Sequence, residues 1–250
     1  MTFQTASSFS IMIVTVTLHP ENYPTDAFYP FSLPVLRGTR CIEFGTPVTL
    51  FVGENGSGKS TLLKALASVC GIHIWRNTTR VRFKANPYEN KLREHITVDW
   101  AEGPMPGSYF GSDVFQYFVE ALDEWAAADP GQLEYFGGQS LVTQSHGQSL
   151  MAYFNSRYRI PGLYLLDEPE TALSPNSQLQ LLRILAREGS RGEAQFIVAT
   201  HSPILLACPG ATIYSFDSIP VSPILYEDTE HYRVYRSFME DRSRYLDEVG

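Results

Sequence analysis

Apolar residues along the chain fall into short runs, and two of these runs are followed by stretches with helical spacing. Residues 47–52, 163–166 and 195–199 are largely apolar, as in strands that are buried on both faces of a parallel sheet. Residues 60–67 and 179–185 repeat apolar positions at helical intervals. This alternation predicts an α/β fold with a parallel core sheet flanked by helices.

Further strands and helices are predicted outside this core. The predicted strands are residues 11–18, 41–44, 72–75, 79–84, 211–216 and 221–226. Helices are predicted from Ser112 to about residue 129 and from about residue 228, and the glycine- and proline-rich residues 102–111 are predicted to form a loop. We therefore expect a small antiparallel β subdomain and a helical subdomain beside the parallel sheet.

The length of 250 residues suits one large domain, residues 1–250, that carries an inserted region. A hydrophobic content of 44% supplies enough apolar residues for its core. The predicted subdivision is a core at about residues 1–70 and 160–226, an inserted β and helical region at about 72–158, and C-terminal helices at about 228–250.

Net charge and cysteine use limit the classes of function. A formal net charge of −8 argues against general binding to nucleic acids or membranes. Cys41, Cys70 and Cys208 lack a pairing or metal-binding spacing, and we expect reduced thiols in a cytoplasmic protein. The apolar residues 9–18 are too few to cross a bilayer and have no basic leader, so neither an integral membrane segment nor a signal peptide is expected.

A glycine-rich loop after residues 47–52 fits the phosphate-binding pattern G-x-x-x-x-G-K-[ST]. Its glycines let backbone N–H groups point inward, and the helix that follows adds partial positive charge. Lys59 is predicted to reach the β- and γ-phosphates of a nucleotide, and Ser60 is predicted to ligate Mg²⁺. The predicted nucleotide-binding residues of this segment are Gly53, Glu54, Asn55, Gly56, Ser57, Gly58, Lys59, Ser60 and Thr61.

Acidic and histidine side chains follow two other predicted core strands. Asp167 and Glu168 end the run at 163–166, at the edge where open α/β sheets bind ligands. Asp167 is predicted to hold Mg²⁺ opposite Ser60, and Glu168 to act as a general base or to position the water that attacks the γ-phosphate. His201, just beyond the next predicted strand, could hydrogen-bond the γ-phosphate or that water.

Two segments allow more than one interpretation. Six of the 19 lysines and arginines lie between residues 76 and 93, which suits a patch for nucleic acid or an acidic partner, or the solvated face of a half-buried strand. The aromatic and proline-rich residues 23–34 could stack on adenine or pack as loop aromatics on the core. Both interpretations of each segment stay open at this point.

The order of motifs along residues 45–205 resembles the ATP-binding-cassette (ABC) superfamily. The glycine-rich loop is followed by Ser145-His146-Gly147-Gln148-Ser149, Leu165-Leu166-Asp167-Glu168-Pro169, Thr171-Ala172-Leu173-Ser174 and Thr200-His201-Ser202. The resemblance implies a P-loop NTPase fold and the cofactors ATP and Mg²⁺. It also implies roles: Lys59 and Ser60 as the Walker A lysine and serine, Asp167 as the Walker B aspartate, Glu168 as the catalytic glutamate and His201 as the switch histidine.

By the same resemblance, residues 145–148 look like the signature motif, which in that family contacts the γ-phosphate of ATP bound to the other subunit. Ser145, Gly147 and Gln148 are therefore expected to bind nucleotide across a head-to-tail dimer that ATP closes. Residues 171–174 resemble the loop that communicates across this dimer.

The sequence departs from the family pattern at four places. His146 replaces the first signature glycine, Gln144 replaces the signature leucine, and Ser174 stands where an aspartate is usual. No glutamine occurs between residues 61 and 115, so the Mg²⁺-binding Gln loop of the family has only Asn86 as a weak substitute.

The signature variant and the run Asp-Glu-Pro-Glu-Thr-Ala-Leu-Ser-Pro resemble short soluble bacterial proteins known as predicted ATPases of the AAA family, close to the SMC-like branch. We therefore expect a soluble ABC-type ATPase that hydrolyses ATP and dimerises on it to drive a conformational change in a partner. The alternatives are a nucleotide-binding subunit of a membrane transporter, a P-loop kinase or phosphotransferase, and a binding module in which ATP is only a switch.

Overall fold

The computed structural model describes residues 11–75, 86–136, 138–143 and 145–246. Its strands are β1 (Ile13–Leu18), β2 (Cys41–Glu43), β3 (Val48–Val52), β4 (Ile96–Trp100), β5 (Gly107–Gly111), β6 (Gly162–Asp167), β7 (Ala194–Ala199), β8 (Thr212–Ser215) and β9 (Ser222–Pro223). Its α-helices are α1 (Pro34–Gly38), α2 (Lys59–Val69), α3 (Ser112–Ala128), α4 (His146–Arg157), α5 (Pro175–Ser190), α6 (Pro203–Leu206) and α7 (Glu230–Glu240). Within these described ranges, none of the helices has the length and apolar character needed to span a bilayer.

The main sheet has the strand order β5-β6-β7-β3-β8-β9. Its first five strands run parallel, and β9 pairs antiparallel with β8. The predicted α/β class with a mainly parallel sheet is confirmed. Because β3, β7 and β6 are consecutive in the sheet, their carboxyl ends meet at one edge, which brings the glycine-rich loop close to the residues that follow β6 and β7.

The central strands are buried on both faces, which explains their continuous apolar sequences. Every residue of β3, β6 and β7 is buried. Alternate side chains enter two hydrophobic clusters: Leu50 and Leu166 pack with residues of α4 and α5, and Phe51 and Leu165 pack with α2 and β1. A strand that fills two clusters in this way has no solvent face on which polar residues could alternate.

A second sheet is antiparallel, with the order β2-β1-β4. Gln195, buried in β7, joins it to the main sheet. Its Oε1 accepts hydrogen bonds from the backbone N–H groups of Met12 (2.9 Å) and Ile13 (2.7 Å), and its Nε2 donates to the Ile13 carbonyl (3.0 Å). A glutamine in an otherwise apolar strand thus satisfies three backbone groups at the junction of the two sheets.

Residues 107–111 form β5, so the prediction of a loop there was wrong. Gly107 belongs in the strand because a Cβ at this position would lie 2.2 Å from the Leu163 carbonyl oxygen of β6. Tyr109 and Phe110 are buried within the sheet. Gly107 is required by the close approach of β5 to β6, but in the sequence a glycine of this kind cannot be distinguished from a glycine in a turn.

Of two other strand predictions, one was wrong and one was wrong in part. Residues 72–75 form no strand, and Ile72, Ile74 and Trp75 pack against the core instead. Of residues 221–226 only Ser222–Pro223 forms a strand, although the Ile224 N–H still donates to the Ile213 carbonyl of β8 (2.9 Å). The predicted strand at 79–84 lies outside the described residues, and the predicted subdivision of the chain stays a prediction.

Candidate nucleotide-binding site

The glycine-rich loop links β3 to α2 through a sharply turned backbone. Gly53 has a φ of 151° and Gly58 a φ of 106°, both in the region that favours glycine. A Cβ at Gly53 would lie 2.9 Å from Oδ1 of Asp217, the atom that accepts a hydrogen bond from the Glu54 N–H (2.8 Å). The loop is thus anchored to the segment after β8. The first N–H groups of α2 have no carbonyl partner within the helix, and such groups can bind an anion.

Lys59 lies buried inside this loop. Its Nζ donates hydrogen bonds to the backbone carbonyls of Gly53 (2.5 Å) and Glu54 (2.8 Å), and lies 3.4 Å from Ser57 Oγ. Burial lowers the pKa of the ammonium group, and the negative charge of Asp217 opposes that shift. The ammonium is therefore held within the hollow where the loop would enclose phosphate groups.

Ser60 and Asp167 meet in the structure. The Ser60 hydroxyl donates to Asp167 Oδ1 (2.7 Å), and the Tyr109 hydroxyl of β5 donates to Oδ2 (2.8 Å). Burial raises the pKa of the Asp167 carboxyl group, whereas these two hydrogen bonds favour its ionised form. One carboxylate thus connects the start of α2 with the ends of β5 and β6.

The donor set around Asp167 fits Mg²⁺. A serine hydroxyl and a carboxylate oxygen are the hard oxygen ligands that this ion prefers, and a site with few protein ligands leaves coordination positions for phosphate oxygens and water. The Asn86 amide donates to the Tyr29 carbonyl (2.6 Å) and accepts from the Tyr88 N–H (3.0 Å), and its role as a substitute for the Gln loop stays a prediction.

A lysine and an aspartate lie beside the same carboxylate. Lys64, one helical turn after Ser60, places its Nζ 3.9 Å from Asp167 Oδ2 and 3.5 Å from Asp113 Oδ2. Gly111 pairs with Asp167 in the sheet register, so the first residues of α3 border the same cleft. Lys64 lies four residues after Ser60 on the same face of α2, so the sequence could have indicated its contact with Asp167. The contact of Tyr109 could not be predicted, because residues 102–111 were predicted to form a loop.

Glu168 leaves β6 in a conformation that few non-glycine residues adopt. Its φ is 48°, and its backbone N–H donates to the Ala199 carbonyl of β7 (2.9 Å). The side chain is 40% exposed, and one of its oxygens lies 3.8 Å from Nε2 of His201. Strained backbone of this kind is frequent at functional sites, and here it turns a carboxylate into the cleft.

His201 is held from two sides. Glu170 Oε1 accepts a hydrogen bond from the His201 backbone N–H (2.6 Å), and the ring Nδ1 lies 3.0 Å from Nε2 of His231 on α7. Burial, and then the charge of Lys59, lower the pKa of His201 to about 4. The ring is therefore neutral at neutral pH. Neither Glu170 nor His231 was among the predicted site residues, and no motif spacing indicates a contact between residues 201 and 231.

Ser145, Gly147 and Gln148 lie at the start of α4. The Ser145 backbone N–H and hydroxyl both donate to Gln148 Oε1, at 3.1 and 2.9 Å. Ser145 and Gln148 are exposed, and within the part of the chain that the structure describes no hydrogen bond joins them to the glycine-rich loop. Among the described residues, the hydrogen bonds of Ser145 and Gln148 are therefore to each other rather than to the glycine-rich loop.

The aromatic segment at residues 23–34 divides into two groups. Tyr23 and Phe31 pack against each other and against His95, as core aromatics do. Tyr29 is 43% exposed, and its hydroxyl lies 2.9 Å from Thr61 Oγ1 at the start of α2. Of the two earlier interpretations, packing applies to the first group, and Tyr29 keeps an exposed ring next to a predicted nucleotide-binding residue.

Most of the basic segment at residues 76–93 lies outside the described residues, including Arg76, Arg80, Arg82 and Lys84. Lys91 forms an ion pair with Glu94 (2.8 Å), and Arg93 donates to Ser68 Oγ (3.2 Å). Both contacts are local to the surface beside α2. The proposed partner patch stays a prediction.

Two sequence families match separate parts of the chain. Residues 28–96, which contain the glycine-rich loop, match a family described as an AAA domain. Residues 150–207, which contain Asp167, Glu168 and His201, match a family described as an AAA domain, with an AbiEii toxin and a type IV TA system also named in that description.

Several curated relatives of the chain are named as transporter or import ATP-binding proteins. The energy-coupling factor transporter ATP-binding protein EcfA2 of Streptococcus sanguinis is 26% identical over 223 residues, which cover 81% of this chain and 78% of the relative. The phosphonates import ATP-binding protein PhnC of Bordetella parapertussis is 25% identical over 209 residues, which cover 69% of this chain and 77% of the relative.

The fold agrees with these relatives. A solved metal-chelate type ABC transporter in an inward-facing conformation superposes with a TM-score of 0.50 and 16% identity, over 90% of this chain and 88% of that chain. At that identity the match concerns the fold alone. The order of its motifs, the proteins it is similar to and its fold all agree: the chain resembles the ATP-binding-cassette type of P-loop ATPase.

Proposed function

We propose that the chain binds ATP with Mg²⁺ and hydrolyses it. The observation that carries the proposal is that one sheet edge holds a buried Lys59 inside a glycine loop, the Ser60–Asp167 pair, and the Glu168–His201 pair. Lys59 in its loop suits the β- and γ-phosphates, and the Ser60–Asp167 pair suits a divalent cation. Mg²⁺ held by Ser60 and Asp167 would neutralise phosphate charge when bound.

The remaining groups suit attack of water on the γ-phosphate. Glu168 is exposed enough to meet a water molecule, and as a carboxylate it accepts the proton of that water. His201 donates a hydrogen bond to a γ-phosphate oxygen, while Lys59 and the loop N–H groups hold the negative charge of the transferred group. In this scheme Lys59, Glu168 and His201 are the catalytic residues.

We further propose that ATP closes two subunits head to tail. The start of α4 in each subunit is exposed and carries the partial positive charge of a helix N-terminus, which suits an anion outside its own chain. Ser145, Gly147 and Gln148 would then contact the γ-phosphate bound to the partner. Such a dimer would drive a conformational change in a protein or nucleic-acid partner, and the cytoplasm stays the predicted location.

The solution mass of Glu168→Gln, with and without Mg-ATP, tests this function. Removal of the base should leave binding intact, abolish release of inorganic phosphate and trap a dimer, so the mass should double with ATP. Adding Ser145→Arg should restore the monomer, whereas adding Ser190→Arg, at the exposed far end of α5, should not. A monomer at saturating ATP would contradict the dimer, and transfer of phosphate to an acceptor other than water would favour a kinase.

A second candidate is the ATP-binding subunit of a transporter, because the relatives EcfA2 and PhnC are named as such. In that case the purified chain should hydrolyse ATP only after a membrane-embedded partner is added. Steady hydrolysis by the purified chain alone would favour the first proposal.

A further inference from the structure

Two histidine rings from distant parts of the chain meet beside Glu168. His201 follows β7, and His231 lies in the first turn of α7, which is capped by Thr229. Nδ1 of His201 and Nε2 of His231 are 3.0 Å apart. The other nitrogen of His201, Nε2, is buried and has no hydrogen-bond partner among the described residues, and it lies 3.8 Å from Glu168 Oε1.

Both rings are neutral at neutral pH. Burial and the charge of Lys59 lower the pKa of each ring. Asp217 opposes the shift of both rings, and Glu230 that of His231. A hydrogen bond between two neutral imidazoles contains a single proton, so one ring donates and the other accepts.

The surroundings distinguish the two possible arrangements. If His201 donated from Nδ1, its Nε2 would carry a lone pair that faces the Glu168 carboxylate, and the two electron-rich atoms would repel each other. If His231 donates from Nε2, the proton of His201 lies on its own Nε2 and faces the same carboxylate favourably. Each arrangement leaves one ring N–H unpaired, at His231 Nδ1 in the first and at His201 Nε2 in the second. Only the second places this donor beside Glu168, where an anionic oxygen could accept it.

We propose that His231 is a positioning residue, which holds His201 in the tautomer with its proton on Nε2. This inference rests on the proposed function, because that tautomer is the one that can donate to a γ-phosphate oxygen. α7 therefore contributes to the chemistry although none of its own residues is fully buried. A neutral ring in the opposite tautomer would present a lone pair to the phosphate and weaken the transition state.

The tautomer can be measured directly from ¹⁵N NMR of the histidine side chains in the nucleotide-free protein, at a pH where both rings are neutral. His201 should show a protonated Nε2 and an unprotonated Nδ1. His231→Gln keeps a donor near the same point and should leave this pattern in place. His231→Glu supplies only an acceptor and should move the proton of His201 to Nδ1.

Turnover gives the second readout. His231→Glu should lower kcat by about tenfold or more with a smaller change in KM, and His231→Gln by roughly threefold or less. Met239→Glu adds the same charge at a position of α7 that is 81% exposed, and it controls for charge. A wild-type His201 with its proton on Nδ1, or equal losses of kcat in the two His231 variants, would overturn the proposal. Because the spectrum needs no ATP, failure of the proposed ATPase would appear separately, as a normal tautomer pattern without phosphate release.

Discussion

Around Asp167, burial and hydrogen bonding act in opposite directions at the scale of single residues. Burial raises the pKa of the carboxyl group, and the hydroxyl groups of Ser60 and Tyr109 favour its ionised form. Lys64 adds positive charge 3.9 Å from Oδ2. These neighbours favour the ionised state that the proposed role of Asp167 as a ligand to Mg²⁺ requires.

Tyr109→Phe should weaken the fold, because it removes a 2.8 Å hydrogen bond to a buried carboxylate and leaves the ring in place. We expect the free energy of unfolding to fall by roughly 1 to 3 kcal/mol. Urea unfolding at neutral pH with EDTA measures this. Tyr235→Phe, at an exposed position of α7, is the matched control and should change stability by less than about 0.5 kcal/mol. Equal effects of the two variants would contradict the assigned contact.

Glu170→Gln should change how stability depends on pH. Burial raises the pKa of this carboxyl group above the unfolded value of about 4.3. Between the two values the folded state binds more protons than the unfolded state, so the free energy of unfolding of the wild type falls as the pH rises. The variant keeps an acceptor for the His201 N–H but has no charge to bury.

The stability of Glu170→Gln relative to wild type should therefore increase from acid to neutral pH. Urea unfolding at a series of pH values measures the difference. Glu227→Gln, at an exposed position, is the control, and its difference in free energy of unfolding from wild type should not change with pH. A difference for Glu170→Gln that is independent of pH would show that the carboxylate is not destabilised by its surroundings.

At the scale of elements, sequence pattern predicted those parts of the fold where burial alone decides the residue type. The two-sided strands β3, β6 and β7 were predictable because their burial demands continuous apolar runs. β5 was missed because Gly107 serves a close approach of strands, which in sequence looks like a turn. The contact of α7 with the site was also missed, since it depends on how the helix packs and no local pattern encodes that.

Gln195→Leu tests the junction between the two sheets. The variant should leave the buried N–H groups of Met12 and Ile13 and the Ile13 carbonyl, at the start of β1, without their partner. We expect a loss of roughly 2 to 4 kcal/mol in the free energy of unfolding. Gln180→Leu, exposed on α5, is the control, and its effect should be small. An unchanged stability in Gln195→Leu would mean that the glutamine contributes little to joining the sheets.

At the scale of the whole molecule, the candidate site assembles side chains from Lys59 on α2 to His231 on α7. The parallel sheet makes this possible because consecutive strands deliver distant segments to one edge. Motif order predicted that Ser60, Asp167, Glu168 and His201 would gather there, since each follows or begins an element of that edge.

Binding of nucleotide by the whole molecule should appear as thermal stabilisation. A ligand that binds only the folded state raises the free energy of unfolding by about 2.7 kcal/mol at 100 times its Kd. Mg-ATP should therefore raise the Tm of the wild type, and Lys59→Met should lose most of that increase because it removes the buried ammonium from the loop. Lys91→Met, which removes a surface ion pair with Glu94, should keep the increase. If Lys59→Met were stabilised by Mg-ATP as strongly as wild type, the phosphates would have to bind elsewhere on the molecule.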